Sequence, residues 1–289
     1  MTIREPAVAG IFYPVNAGQL KRLVEECFTG PGGPGSLPAV SAPGPRSIVG
    51  LVCPHAGLIY SGPVAAWSYY RMAEDGVPDT IVIIGPNHRS HYPAAALTDD
   101  DAWRTPMGQV EVDVDLSRRI AESCFGAEVN STAHRSEHSL EVQLPFIQYL
   151  MEESGLQVKI VPILIGSPTA RGALSFARDL GGAIASALEG KDALIIASTD
   201  FTHYEPGDVA AHKDSDAMTG VLELDEEDLL KTVISQGITM CGVLPTAITI
   251  VSAKQMGAVS ARKLAYRNSG DVTGDYREVV GYGALEMDR

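Results

Sequence analysis

Three short apolar runs constrain this chain more than any other feature. Ile48–Cys53, Thr80–Gly85 and Ala193–Ser198 are each six residues long and almost wholly apolar. Runs of this kind, bounded by Pro and Gly, read as strands buried on both faces. Each is followed within five residues by a side chain able to bind a metal or move a proton. Pro54-His55 follows the first, and Pro86-Asn87-His88 follows the second. Thr199-Asp200-Phe201-Thr202-His203 follows the third. Pro54 stops the first run because it cannot donate to a ladder. Open α/β sheets place their ligand and catalytic groups beyond the carboxyl ends of strands. These three strand ends are therefore expected to converge on one crevice.

The rest of the chain alternates in kind. Helices are expected over Ala17–Phe28, capped by Asn16, then Pro63–Met72, Asp115–Ser123, and Ser139–Met151 with a bend at Pro145. Ser167-Pro168 reads as the cap and first position of a helix reaching Leu188. Ala210–Leu224, a segment capped by Asp225, and Leu244–Met256 complete the helical set. Tyr92–Thr98, Val158–Ile165, Lys263–Arg267 and Val279–Glu286 read as further strands, and 99–108 as irregular. Strands alternating with helices imply an α/β fold. Its central sheet is expected to be mostly parallel or mixed, with helices on both faces. Residues 29–46 hold ten Gly or Pro in eighteen, which predicts a flexible surface loop. The 289 residues are expected to form one domain around it.

Composition narrows the function. The net charge is −14 and no basic run occurs, which argues against binding a nucleic-acid backbone. No apolar run approaches the ~18 residues of a membrane span. The start, MTIREPAVAGIF, lacks the pattern of a signal peptide, so a cytoplasmic location is expected. Cys27, Cys53, Cys124 and Cys241 are scattered with no CxxC pair, and are expected to be free thiols there.

Imidazole is the commonest protein ligand for metals. One strand-end histidine is usually a hydrogen-bonded structural residue. Two in parallel positions, His55 and His88, beside a third strand end carrying Asp200 and His203, favour a site. Cys241 sits just before a helix, where a thiolate is stabilised. With the two histidines it would form an open set suited to zinc, copper or iron. Asp200 and His203, three apart, read as a carboxylate and an imidazole for proton handling. Glu137 and His138 fit either a crevice wall or a solvated helix start. Cys53 reads as core, and His91, His134 and His212 as surface residues.

The motifs Pro54-His55-Ala56-Gly57, Gly85-Pro86-Asn87-His88, Arg104-Thr105-Pro106, Glu137-His138-Ser139-Leu140-Glu141, Ser198-Thr199-Asp200-Phe201-Thr202-His203 and Cys241-Gly242 together resemble the Memo family. Its microbial members are called AmmeMemoRadiSam system protein B. The resemblance runs from Val8 to Leu285 and implies a fold like the class III extradiol dioxygenases. It implies that His55, His88 and Cys241 hold a metal ion, that His203 is the acid/base, and that Asp200 stands beside it. Cys241 occupies the place of the dioxygenases' glutamate. A thiolate there is softer and oxidisable, and suits copper(I) or zinc as well as iron. The resemblance also implies association with a radical SAM enzyme and an AMMECR1-like protein. Two functions follow from it: a metal-dependent redox or oxygenase-type enzyme, or a non-catalytic adaptor that holds a peptide or partner in the same crevice.

Overall fold

A computed structural model describes residues 1–41, 44–90, 93–166 and 172–289. In chain order the elements are β1 (Ile3–Arg4), α1 (Ala17–Thr29), β2 (Ile48–Cys53), α2 (Leu58–Asp75), β3 (Thr80–Pro86), β4 (Ala95–Leu97), β5 (Ala102–Thr105) and β6 (Gly108–Val112). Then come α3 (Val114–Ser123), β7 (Ala127–Val129), α4 (Ser131–His134), a 3-10 turn (Glu141–Gln143), α5 (Leu144–Ser154), β8 (Lys159–Ile165), α6 (Ala173–Ala187) and β9 (Ala193–Ser198). The chain closes with β10 (His203–Glu205), α7 (Gly207–Leu222), α8 (Glu226–Ser235), α9 (Val243–Gln255), β11 (Ser260–Asn268), α10 (Gly270–Thr273) and β12 (Val279–Asp288).

The strands of the described residues join one mixed sheet, in which β8, β3, β9 and β2 lie side by side and parallel. All four expected central strands are thus neighbours. β12 adds antiparallel to β2, and β11 and β10 add antiparallel to β12. Every residue of β2, β3 and β9 is buried, because helices cover both faces. Alternate residues serve the two sides. Val82, Ile84, Ile195 and Ala197 pack with α6 and α9, while Ile81, Ile83, Leu194 and Ile196 pack with α2 and α5. The architecture is the α/β type expected, and it is consistent with a dioxygenase-like fold.

Several local expectations need correction. The segment 99–108 is not irregular: Ala102–Thr105 pairs antiparallel with Gly108–Val112 as a hairpin. Trp103 and Val110 supply its buried face, a signal too short to read beside three aspartates. The helix expected from Ser139 begins only at Leu144, and Pro145 sits in its first turn, where its missing N–H costs nothing. α2 starts five residues earlier than expected and carries Pro63 inside it. The helix start at Ser167-Pro168, His91 and residue Tyr92 lie outside the described residues. So do two residues of the 29–46 stretch, Ala42 and Pro43. Beyond Thr29, which ends α1, the described remainder of that stretch forms neither helix nor strand. It is fastened by Gly35 N to Phe28 O at 2.8 Å, Ser41 N to Ala73 O at 2.9 Å, and Trp67 Nε1 to Gly32 O at 3.0 Å. Asn16 and Asp225 cap α1 and α8 as expected.

Candidate metal centre

Sheet register builds the site. Cys53 on β2 stands opposite Ser198 on β9, and Thr199 N extends the ladder to Cys53 O at 2.8 Å. Residues two positions further along each strand therefore emerge side by side. They are His55 and Asp200, and the backbone N–H of His55 donates to Asp200 Oδ1 at 2.8 Å. On the far side of β9, β3 delivers His88 to the same end of the sheet. The His55 and His88 rings lie 5.4 Å apart, centroid to centroid.

Cys241 arrives from the other direction, at the turn before α9. It is clasped reciprocally: Cys241 N donates to Asp200 O at 3.2 Å, and Asp200 N donates to Cys241 Sγ at 3.3 Å. Gly242 N donates to Thr199 Oγ1 at 2.9 Å. The approach is so close that a Cβ on Gly242 would lie 2.4 Å from Thr199 Cβ, so only glycine fits there. This clasp brings Cys241 Sγ to 3.4 Å from His55 Nε2. One donor atom each from His55, His88 and Cys241 lies within 4.8 Å of the others.

The thiol is not activated in the way the sequence suggests. Burial and the Asp200 carboxylate push its pKa upward, outweighing the hydrogen bonds it accepts. The reason is tertiary: the chain packs the sulfur beneath Asp200 before α9 begins. His55 moves the opposite way. Burial, then the neighbouring His138 and His88, hold its pKa well below the usual imidazole value, so it is neutral at pH 7. A neutral imidazole with an available nitrogen is able to ligate a metal.

Asp200 and His203 do not pair as expected. Asp200 is committed to the His55 backbone, and burial raises its pKa. His203 is held by Thr239, which accepts its backbone N–H at 2.7 Å through Oγ1 and its Nδ1–H at 2.9 Å through the carbonyl. A carbonyl only accepts, so Nδ1 carries the hydrogen, and among the described residues Nε2 meets no hydrogen-bond partner. His203 is partly exposed and acts electrostatically on both His55 and Asp200.

Glu137 and His138 belong to the site and do not open a helix. Glu137 is buried, and its Oε1 accepts His88 Nδ1–H at 3.0 Å while Oε2 accepts His88 N at 2.6 Å. Burial opposes its ionisation, but the hydrogen bonds of His138 and His88 outweigh that and hold its pKa well below the carboxylate range. The His138 ring stacks on His88 at 4.8 Å and stands 5.6 Å from His55. Phe12 covers the outer side of His138 at 4.6 Å. His88, Glu137 and His138 form a second cluster of possible ligands. The motif Glu137-His138 beside three other histidine-bearing segments was the available signal.

His134, expected at the surface, is fully buried. Arg4 Nε donates to its carbonyl at 2.8 Å, and its own Nε2 meets Ala96 O at 3.1 Å. Arg4 also pairs with buried Glu141 at 2.6 Å and donates to Glu137 O at 2.5 Å. Glu141 further accepts from Ala7 N, Val8 N and Tyr13 OH. The first thirteen residues thus brace the loop that carries Glu137. His212 is exposed and Cys53 is core, as expected.

Comparison with known proteins agrees with this geometry in extent. The family model for Memo-like proteins matches residues 4–286. A MEMO1 family protein of Methanopyrus kandleri is 46% identical over 288 residues, covering 99% of both chains. Those of Ignicoccus hospitalis and Methanothermobacter thermautotrophicus are 44% and 43% identical, with 98–99% of each chain covered. The alignment spans every element from the Arg4 brace to β12, and the chain belongs to the Memo-like family.

Proposed function

We propose that the protein binds one metal ion through His55, His88 and Cys241 and uses it in a redox or oxygenase-type reaction. The observation that carries this reading is the convergence of two strand-end imidazoles and a thiol, with donor atoms within 4.8 Å of one another. The donor set fits the group. Glu137 occupies Nδ1 of His88 and leaves Nε2 for an ion, as a carboxylate behind a ligating histidine does. Two nitrogens and a sulfur suit zinc, copper or iron. When bound, such an ion supplies Lewis-acid chemistry, and iron or copper adds electron transfer.

The chain's own residues supply the rest. His203, with Nε2 free at the edge of the crevice, takes up or releases a proton of a bound substrate. Asp200 holds the backbone of His55 and, through its main chain, the sulfur of Cys241. Four free thiols fit a reducing cytoplasm. Among the described residues no helix is long and apolar enough to cross a membrane. Family resemblance supports a radical SAM enzyme and an AMMECR1-like protein as partners.

Elemental analysis of protein purified without oxygen tests the reading. One equivalent of metal per chain is expected, with loss in Cys241→Ser. Substoichiometric metal in both would sink it. A partner-binding reading draws on the exposed Ile11, Val15 and Ile59, which flank the Phe12 O to Leu58 N contact near the site. Partner binding unchanged in His55→Ala, with no oxygen consumed by the metal-loaded protein, would favour it.

A further inference from the structure

Buried beneath His55 is a polar chain that the ligand set does not explain. Ser198 Oγ has three polar neighbours: His55 Nδ1 at 3.0 Å, Gln143 Nε2 at 2.8 Å and Ser139 O at 2.6 Å. Gln143 in turn donates to Pro54 O at 3.0 Å and accepts from Tyr69 OH at 2.7 Å. All of these side chains are buried, so each hydrogen must have a place.

The hydrogens can be assigned by elimination. Pro54 O only accepts, so the Gln143 amide must turn its nitrogen towards it. The same nitrogen then donates its second hydrogen to Ser198 Oγ, and Oε1 is left for Tyr69. Ser198 has one hydrogen, and two neighbours could take it. Ser139 O is the nearer, and at 2.6 Å two bare oxygens would repel, so the hydrogen lies there. Ser198 Oγ therefore meets His55 as an acceptor, and His55 must donate from Nδ1. The unprotonated Nε2 then faces Cys241 Sγ at 3.4 Å.

We propose that Ser198 and Gln143 are positioning residues: Ser198 holds His55 as its Nδ1–H tautomer with Nε2 presented to the ion site, and Gln143 holds Ser198 and the strand ends in place. The inference rests on the metal-binding reading above for its purpose, but not for its geometry. His88 reaches the same tautomer through a carboxylate, whereas His55 reaches it through a neutral hydroxyl. The two ligands are thus set by different devices. Gln143 also joins three segments, the β2 exit, the β9 end and α2, so the same side chain fixes ring orientation and strand-end spacing.

Nuclear magnetic resonance of the metal-free protein, labelled with 15N in histidine, reads the tautomer directly through long-range proton couplings. The His55 signals are identified by their loss in His55→Gln. The Nδ1–H pattern is expected for the unaltered protein. Ser198→Ala should convert His55 to the Nε2–H form and weaken zinc binding, measured by chelator competition, by about 10–100-fold. Gln143→Met keeps the Ser198 acceptor, so the tautomer should persist while zinc binding weakens several-fold. An Nε2–H pattern in the unaltered protein overturns the proposal even if Ser198→Ala fails to fold. Unchanged zinc affinity in a folded Gln143→Met protein removes Gln143 from it. Failure of the unaltered protein to bind zinc, copper or iron would sink the metal reading, and the metal-free spectrum would still decide the tautomer.

Discussion

Glu137 Oε1 meets the Nδ1 atoms of both His88 and His138, at 3.0 and 3.1 Å, and takes the backbone N–H of His138 and Ser139 as well. One buried carboxylate therefore orients two imidazoles on the wall of the crevice. In Glu137→Gln one oxygen becomes a donor and faces hydrogens that already need acceptors. The fold should lose about 1–3 kcal/mol and zinc affinity should fall about 10–100-fold. Denaturant unfolding and chelator competition measure the two effects. Unchanged affinity in a folded variant would detach Glu137 from His88's role.

Uptake of the ion should depend on pH in a definite direction. His55 is already neutral at pH 7 because burial holds its pKa down, so it has no proton to give up. The Cys241 thiol is pushed up by burial and by Asp200, so it is protonated and must lose its proton on ligating. Raising pH mass-action favours the bound form, and affinity should rise about tenfold per pH unit for that single proton. Calorimetry in buffers of different ionisation heat counts the proton. A pH-independent affinity would take Cys241 out of the ligand set.

Stability should fall in mild acid. His134 is held neutral by burial and by the charge of Arg4, with its pKa lowered to about 3. In the unfolded chain it titrates near ~6.5. Between those values the unfolded state binds more protons, so stability drops as pH falls, by up to ~1.4 kcal/mol per unit for this group. Urea unfolding from pH 7 to pH 4 should show a shallower slope in His134→Gln. An equal slope would place the acid sensitivity elsewhere.

The Arg4–Glu141 pair is almost wholly removed from solvent, with side chains 1% and 0% exposed. Removing one partner leaves the other charge buried, which costs about 3–5 kcal/mol. Arg4→Ala should therefore lower the unfolding free energy by that amount. It should also loosen zinc binding, because Arg4 donates to Glu137 O. A loss below about 1 kcal/mol would show that solvent reaches the pair and pairs with Glu141 instead.

Much of this site was legible because strands and their exits are local. Six apolar residues ending at proline or serine specify a buried strand, and the next few residues must leave at its carboxyl end. That is why the sequence alone puts His55, His88, Asp200 and His203 at one edge of the sheet. The helix caps Asn16 and Asp225 were legible for the same reason, since a cap bonds within three residues of itself. The 102–112 hairpin was not, because Trp103 and Val110 take their burial from strands and helices distant in sequence.

The sequence by itself determined the α/β class, the four central strands, the family and the strand-end placement of the histidines. Tertiary structure alone decided how each of those side chains behaves. His55 meets Ser198 across 143 residues, His88 meets Glu137 across 49, and Arg4 meets His134 across 130. The protonation and direction of an imidazole depend on what its second nitrogen touches and on how far water is excluded, and neither is a property of neighbouring residues. Cys241 shows the difference most plainly. Its place before a helix suggests an ionised thiol, and only the fold, by setting it under Asp200 and against His55, makes it a half-buried thiol that must be deprotonated to bind.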